Sequence, residues 1–471
     1  MVTRINELSQ YSKSSVNTKV VVIGAGMAGT EVAWFLASRG VQVVLVESKR
    51  ISPNEAQKTA DFAELVCTNS LKSTDPYSAH GLMKTEMQQL GSLILSEAQI
   101  CAVPAGSALA VDRDAFARNV TTKLQSHPNI EIVDAVVENP LELMSKYDAA
   151  YVVVATGPLT HEGMTSWIQK EITGNDDLYF YDAIAPVVDG DTLDYSQLYF
   201  KDRHQDPALS ADYLNAPFHD KADYEAFVDA IIAAPKVPLK SFETPKFFEA
   251  CLPLDEMCAR GRSTARFSCM KPVGLDIPGV RLPYAVVQLR KENKQGTAFN
   301  LVGFQNRLTY GAQLEVFRMI PGFANAQFLK LGSIHRNTFI NSAKVLSPDM
   351  SSKSYPRLFF AGQITGVEGY TESAASGLFV AAEIWKQLCQ SDVNVMPPTT
   401  AIGALISEIS KRADPVPTNI NMGLFPSPVI PLELLKSPGF DRKRYRKEVI
   451  VAQASKDFSS WFSQFQQLTL R

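Results

Sequence analysis

The 471 residues hold only six cysteines, none of them in a C-x-x-C pair, so neither a disulfide framework nor a zinc ribbon is expected. The six histidines form no H-x₃-H or H-E-x-x-H set, so no metal centre is expected either. No uninterrupted apolar stretch approaches the roughly 18–20 residues needed to cross a bilayer, and the opening MVTRINELSQYSKSSVNTK has no apolar signal core. A cytoplasmic protein with no membrane partner is therefore expected. Excess charge is also missing. With 46 Lys+Arg against 49 Asp+Glu the net charge is −3, so any nucleic acid has to meet a local basic patch. What remains is an ordinary globular composition, 45% apolar and 20% charged. At roughly 150 residues per domain, the length suits about three domains.

Residues 19–47, KVVVIGAGMAGTEVAWFLASRGVQVVLVE, read as buried strand, glycine turn, helix and second buried strand, one βαβ unit. Residues 61–100 read as helix and partly loop. Residues 107–138 read as strand, helix and strand, and AAYVVVATG (149–157) as a further apolar strand. From about 190 the texture turns aromatic-rich and irregular around the helical stretch DKADYEAFVDAIIAAP. RLFFAG (357–362) then restores the earlier pattern. The expected organisation is a first domain part over 16–190, an insertion over 191–345, a returning strand and helix over 346–388, and a tail over 389–471. That tail is proline-rich and extended, with a final helix near 441–468.

Gly24, Gly26 and Gly29 form G-x-G-x-x-G between strand and helix, enclosing Ala25, Met27 and Ala28. Gly24 permits the tight turn, Gly26 lets backbone approach a pyrophosphate, and Gly29 allows close helix–strand packing. Glu47 closes the second strand 21 residues beyond Gly26, where an acid accepts from an adenosine ribose. Two more segments choose the dinucleotide. VVVATGP (152–158) brings Thr156 and Gly157 to a strand end, and LFFAGQITGVEGYTESAASGLFVAAEIW (358–385) adds a glycine-rich loop before a helix. That loop carries Gly362, Gln363 and Gly366, with Tyr370 and Glu372 at the flavin edge or in packing. FAD is thus preferred over NAD. The fold class expected is α/β, an FAD-binding Rossmann-like fold of the two-dinucleotide-binding-domain flavoprotein type, with an inserted α+β domain.

Longer motifs are more specific. KTADFAELVCTNSLKS (58–73), FFEACLPLDEMCARG (247–261), MKPVGL (270–275), GFQNRLTYGAQLEVFRMIPG (303–322), IHRNTFINS (334–342), FFAGQITGVEGYTESAASGL (359–378) and NINMGLFP (419–426) together resemble the folate- and FAD-dependent tRNA uracil-5-methyltransferases. These are relatives of the flavoproteins that modify wobble uridines. The resemblance implies methylene transfer from 5,10-methylenetetrahydrofolate to C5 of the T-loop uridine of tRNA, reduced to methyl by flavin and ultimately by NAD(P)H, a nicotinamide that visits transiently. Departures at Ala216, Ala250, Ser268, Cys269 and the SKR after Glu47 leave a ribosomal RNA uridine as the alternative target. A flavin-bearing RNA-binding or folding factor is the competing class, and it has no use for reactive thiols.

Uracil C5 is a weak nucleophile, so its methylation needs a thiolate added to C6. The resemblance maps Cys251 and Cys67 onto this task. A thiol of pKa near 8.5 is only roughly 3% ionised at pH 7 and needs cations or a helix terminus. Arg260, Arg262, Arg266 and Lys271 follow Cys251 in a stretch, 257–275, with no acid before Asp276. They suit both a lowered thiol pKa and RNA phosphates. Cys251 is therefore read as nucleophile and Cys67 as its partner, which removes the C5 proton or assists transfer near the flavin, with the two roles exchangeable. Cys101, Cys258, Cys269 and Cys389 are read as structural. The resemblance also suggests His335, Arg336 and Asn337 as folate-binding, offering an aromatic face, a cation and an amide. DRKRYRKE (441–448) reads first as a solvated helix face, with RNA contact as the alternative.

Overall fold

Val20–Ile23 has a parallel neighbour on each side, which is why it is apolar without alternation and wholly buried. The parallel sheet runs Leu358–Phe360, Tyr151–Val154, Val20–Ile23, Val43–Glu47, Ile130–Asp134. The strand at 358–360 thus joins a sheet otherwise built before residue 155. The structure is a computed structural model describing residues 19–470 except 55, 175–177, 204–210, 238–251, 277, 278, 280, 294, 413–416 and 436–438. The side chains of 178–184, 333–337, 432 and 435 also lie outside the description.

Helices Met27–Ala37 and Tyr370–Leu388 pack against one another, and glycine makes this possible. A Cβ at Gly377 would fall 2.3 Å from the carbonyl oxygen of Ala28. The segment 61–100 is less helical than its sequence suggests. Helices Ala79–Leu90 and Leu93–Ile100 form, while 61–69 is irregular and Ser70–Ser73 is a strand pairing with Ala108–Val111. Ala63 and Lys72 have φ of 49° and 66°, outside helical geometry.

A second core belongs to an antiparallel sheet ordered Tyr199–Phe200, Tyr213–Phe218, Ala285–Lys291, Ala298–Leu301, Val187–Asp189, Phe328–Lys330. Helix Lys221–Ala233 covers it with Tyr224, Phe227, Val228 and Ile231. Among the described residues, the tail is not merely extended, since Ala401–Lys411 is helical. The last helix, Arg442–Phe465, buries Ile450, Ala454, Phe458, Trp461 and Phe465 at helical spacing against the first core. Its opening cations Arg442, Lys443 and Arg444 are exposed, and Arg444 pairs with Glu448 at 2.8 Å.

Two buried carboxyl groups close helix N-termini from a distance. Glu86 accepts from the Ala401 and Ile402 amides at 2.7 and 2.9 Å, and Glu31 accepts from Ser92 Oγ and the Leu93 and Ile94 amides. Burial pushes Glu86 up to about 8 and Glu31 up to about 7, against hydrogen bonds that favour the charged form. Between the ordinary carboxyl range and these values the folded state holds protons the unfolded chain has lost, so stability falls as pH rises through that window. Urea midpoints should therefore decline from pH 5 to pH 9, and Glu86→Gln, which mimics the protonated carboxyl, should flatten the decline.

Candidate active site

The glycine turn builds one wall of a cleft of about 180 Å³. Gly24 has φ of +100°, and a Cβ there would lie 2.4 Å from the Ala155 carbonyl oxygen. At Gly29 a Cβ would lie 1.8 Å from the Gly24 oxygen. Gly26 differs: a Cβ there meets nothing within 4 Å, because the position opens into the cleft. Gly26 is also the N-cap of helix Met27–Ala37, which has no side-chain cap and no acid in its first turn. Free backbone donors thus face open space, the requirement of a pyrophosphate.

Gly24, Gly26, Met27, Ala28, Glu47, Thr156, Gly157, Gly362, Gln363 and Tyr370 line this cleft together. Glu47 folds onto backbone, accepting from the Ala25 amide at 2.6 Å and from the Ser48 and Lys49 amides at 2.7 and 2.9 Å. Ala25 and Gly29 serve the turn rather than the lining, and Gly366 lies outside it. Glu372 requires a correction. It is fully buried away from the cleft, 3.1 Å from His80 Nε2 and accepting from the Ile420 amide at 3.3 Å. Residues two apart on a helix point to opposite sides, so Tyr370 and Glu372 cannot share the flavin edge. Ser48, Asn54, Gln57, Glu64 and His161 also line the cleft. Their signal was position alone, beyond the carboxyl ends of parallel strands.

Cys67 follows directly on Glu64 and Val66, both in the lining. Its amide donates to Tyr370 Oη at 2.7 Å. Arg113 donates to the carbonyls of Leu65 and Cys67 at 2.8 and 3.2 Å while forking onto the Glu292 carboxylate. Lys330 donates to the Val66 carbonyl at 2.5 Å, and Arg290 holds Thr68 and Asn69. Burial, aided by the charge of Arg113, brings Lys330 down to about 8, while Cys67, Glu292 and Glu64 oppose that shift. Burial and the neighbouring Cys67 push the Tyr370 phenol up. None of Arg113, Lys330 or Glu292 was singled out from sequence.

Residues 19–392 match the family described as glucose inhibited division protein A. Curated relatives named methylenetetrahydrofolate–tRNA-(uracil-5-)-methyltransferase TrmFO include that of Geobacter sulfurreducens, 46% identical over 448 residues and covering 94% of this chain and 99% of the relative. That of Persephonella marina is 45% identical over 449 residues, covering 95% and 99%. The chain belongs to the TrmFO family. The fold agrees: Aquifex aeolicus GidA in its form I crystal superposes with a TM-score of 0.65 at 14% identity, covering 95% of this chain and 77% of that one.

Of the residues that the TrmFO resemblance assigns, Cys251 lies outside the described residues. His335, Arg336 and Asn337 lie on strand Ser333–Phe339, opposite Asp182, Tyr181 and Phe180, with their side chains outside the description. The adjoining Thr338 amide donates to the carbonyl of Pro158, a cleft residue, at 2.9 Å. Two of the four cations in the basic stretch have partners within the fold. Arg262 pairs with Asp229 at 2.9 Å, an acid supplied by another helix. Arg266 donates to the Tyr284 carbonyl at 2.7 Å and lies 4.4 Å over the Tyr284 ring. Arg260 and Lys271 are exposed, beside a Phe267 that is 71% exposed. Cys101, Cys258 and Cys389 are buried, and burial pushes the thiols of Cys258 and Cys269 up to about 12. Among the described residues, no helix is long and apolar enough to cross a membrane.

Proposed function

We propose that this protein methylates C5 of a uridine in tRNA, the T-loop uridine, with 5,10-methylenetetrahydrofolate as carbon donor, FAD as resident cofactor and NAD(P)H as reductant, in the cytoplasm. The observation that carries the reading is the Cys67 loop, whose neighbours Glu64 and Val66 line the dinucleotide cleft and whose backbone hangs on Tyr370, another cleft residue. FAD, when bound, supplies the reducing equivalents that take the transferred carbon from methylene to methyl. The backbone donors at Gly26 suit its pyrophosphate.

Addition of a thiolate to uracil C6 forms a C–S bond and moves the C5–C6 π pair toward C5 and O4 as an enolate. C5 then attacks the one-carbon unit, and the electron pair of the donor's N=CH2 group returns to the folate nitrogen. Loss of the C5 proton to a base expels that nitrogen, breaking its bond to the transferred carbon and leaving an exocyclic methylene on C5 with tetrahydrofolate released. Addition of a hydride equivalent to that methylene makes the methyl group and regenerates the enolate, which breaks the C–S bond and returns the thiolate. The cations that sequence assigned to Cys251 are in part committed elsewhere, while Arg113 and Lys330 stand beside Cys67. This supports Cys67 as nucleophile and Cys251 as the group that removes the C5 proton, an exchange of the roles expected from sequence. His335, Arg336 and Asn337 are proposed to hold the folate. Arg260, Arg262, Arg266 and Lys271 are proposed to meet RNA phosphates.

The test is direct. Purified protein is incubated with methylenetetrahydrofolate, NAD(P)H and either tRNA or ribosomal RNA, and nucleosides are analysed for 5-methyluridine; label in tRNA supports the reading, and none in either RNA rejects it. A double reversal, Arg260→Glu with Lys271→Glu, should weaken tRNA binding regardless of sequence and lower the salt slope by about 2. Reversal of Arg442 and Lys443 should leave that slope unchanged.

A further inference from the structure

The loop 64–68 is held by three successive carbonyl groups, and the groups that hold it come from both cores. Arg113, at the start of helix Arg113–Gln125, takes the oxygens of Leu65 and Cys67. Lys330, at the end of strand Phe328–Lys330 in the antiparallel sheet, takes the oxygen of Val66 between them. Glu292, just beyond strand Ala285–Lys291, fixes the Arg113 guanidinium from the far side. Arg113 and Glu292 have side chains only 17% and 8% exposed, so this pairing is shielded from solvent.

We propose that Arg113 and Lys330 are positioning residues that fix the Cys67 loop across the junction of the two cores and keep its thiol ready to attack. The inference rests on the reading of Cys67 as nucleophile. Charges around the thiol divide unevenly. Arg113 is largely neutralised by Glu292, and Glu64 is engaged by Lys49 at 2.8 Å. Arg290 turns to Thr68 and Asn69, and Tyr370 is held in its neutral form by burial. Lys330 donates to a carbonyl, with no carboxylate in ion-pair distance among the described residues. Arg113 therefore mainly supplies geometry and Lys330 mainly supplies charge. An adjacent cation favours a thiolate over a thiol. Because Glu292 and Lys330 both belong to the antiparallel sheet region, the thiol is fully poised only when that region is seated on the first core.

The experiment is the pH dependence of Cys67 alkylation by iodoacetamide in the FAD-bound protein, followed by mass spectrometry of the Cys67 peptide. Wild type, Lys330→Met, Lys330→Arg and Arg113→Lys are compared, with FAD absorbance as the check on folding. The wild-type midpoint should lie below the ordinary thiol value of about 8.5. Lys330→Met should raise it by about one unit and slow alkylation at pH 7 by about tenfold, with Lys330→Arg restoring it. Arg113→Lys should move the midpoint toward that of an unconstrained thiol. Superimposable profiles for wild type and Lys330→Met, or a wild-type midpoint at or above 8.5, would overturn the proposal. The assay needs neither RNA nor folate. An unshifted midpoint therefore removes the clamp and leaves the methylation reading standing, while a shifted midpoint with no 5-methyluridine does the reverse.

Discussion

Cys67→Ala is expected to lower 5-methyluridine formation by about three orders of magnitude or more, the scale on which removal of a covalent nucleophile acts, while leaving FAD content unchanged. The two readouts separate because Cys67 lies outside the cleft lining and touches it through its backbone: its amide donates to Tyr370 Oη and its carbonyl accepts from Arg113, bonds that alanine keeps. What alanine removes is the sulfur, and without addition at C6 the uracil ring has no means of raising electron density at C5. Cys67→Ser should be nearly as inactive, since a hydroxyl is far less ionised than a thiol at pH 7. Single-turnover methylation with saturating folate and tRNA measures the loss, and absorbance near the flavin band measures the cofactor. A variant that methylates at a tenth of the wild-type rate would place the chemistry on another group.

The glycine turn supplies the second large effect, because two of its positions should fail in opposite ways. Gly26→Val puts its side chain into open cleft at an N-cap whose φ of −77° suits any residue, so the fold should survive. The pyrophosphate approach would be blocked, and loss of two charge-assisted hydrogen bonds at about 1.5–3 kcal/mol each weakens FAD binding at least about 100-fold. Gly29→Val should instead force helix Met27–Ala37 off the sheet. Its Cβ would fall 1.8 Å from the Gly24 oxygen, and overpacking against backbone costs at least about 2 kcal/mol. Thermal melting of the apoprotein with FAD titration distinguishes them: Gly26→Val melts normally and does not bind, whereas Gly29→Val melts early.

That contrast between Gly26 and Gly29 was legible in the bare motif, because strand, turn and helix are neighbours in sequence and their sterics are local. The parallel sheet was legible for a similar reason. Strands covered on both faces lose their alternation, so VVVI and YVVV announce burial without any knowledge of the partner. The Cys67 loop was not legible. Its neighbours in sequence favour helix, yet its conformation is set by Arg113, Arg290, Lys330 and Tyr370, which lie 46 to 303 residues away. No local pattern marks an arginine that will hold a carbonyl rather than a phosphate. The partner of Arg262 was not legible for the same reason, since Asp229 is remote in sequence and the two meet only in the fold. The misassignment of Glu372 was avoidable, for once Tyr370 begins a helix the residue two places on must turn away from the cleft.

The account depends on sulfur joining a pyrimidine at the mouth of the dinucleotide cleft, and trapping with tRNA that carries 5-fluorouridine tests this most directly. Fluorine at C5 cannot leave as a cation, so once the thiolate has added and the one-carbon unit has transferred, the C–S bond persists. Denaturing electrophoresis and peptide mapping should find the RNA fragment on Cys67, with the adduct kept in Cys251→Ala and lost in Cys67→Ala. An adduct on Cys251 that survives Cys67→Ala would restore the opposite assignment of the two thiols, and an adduct that persists when both are replaced by alanine would contradict thiol catalysis altogether.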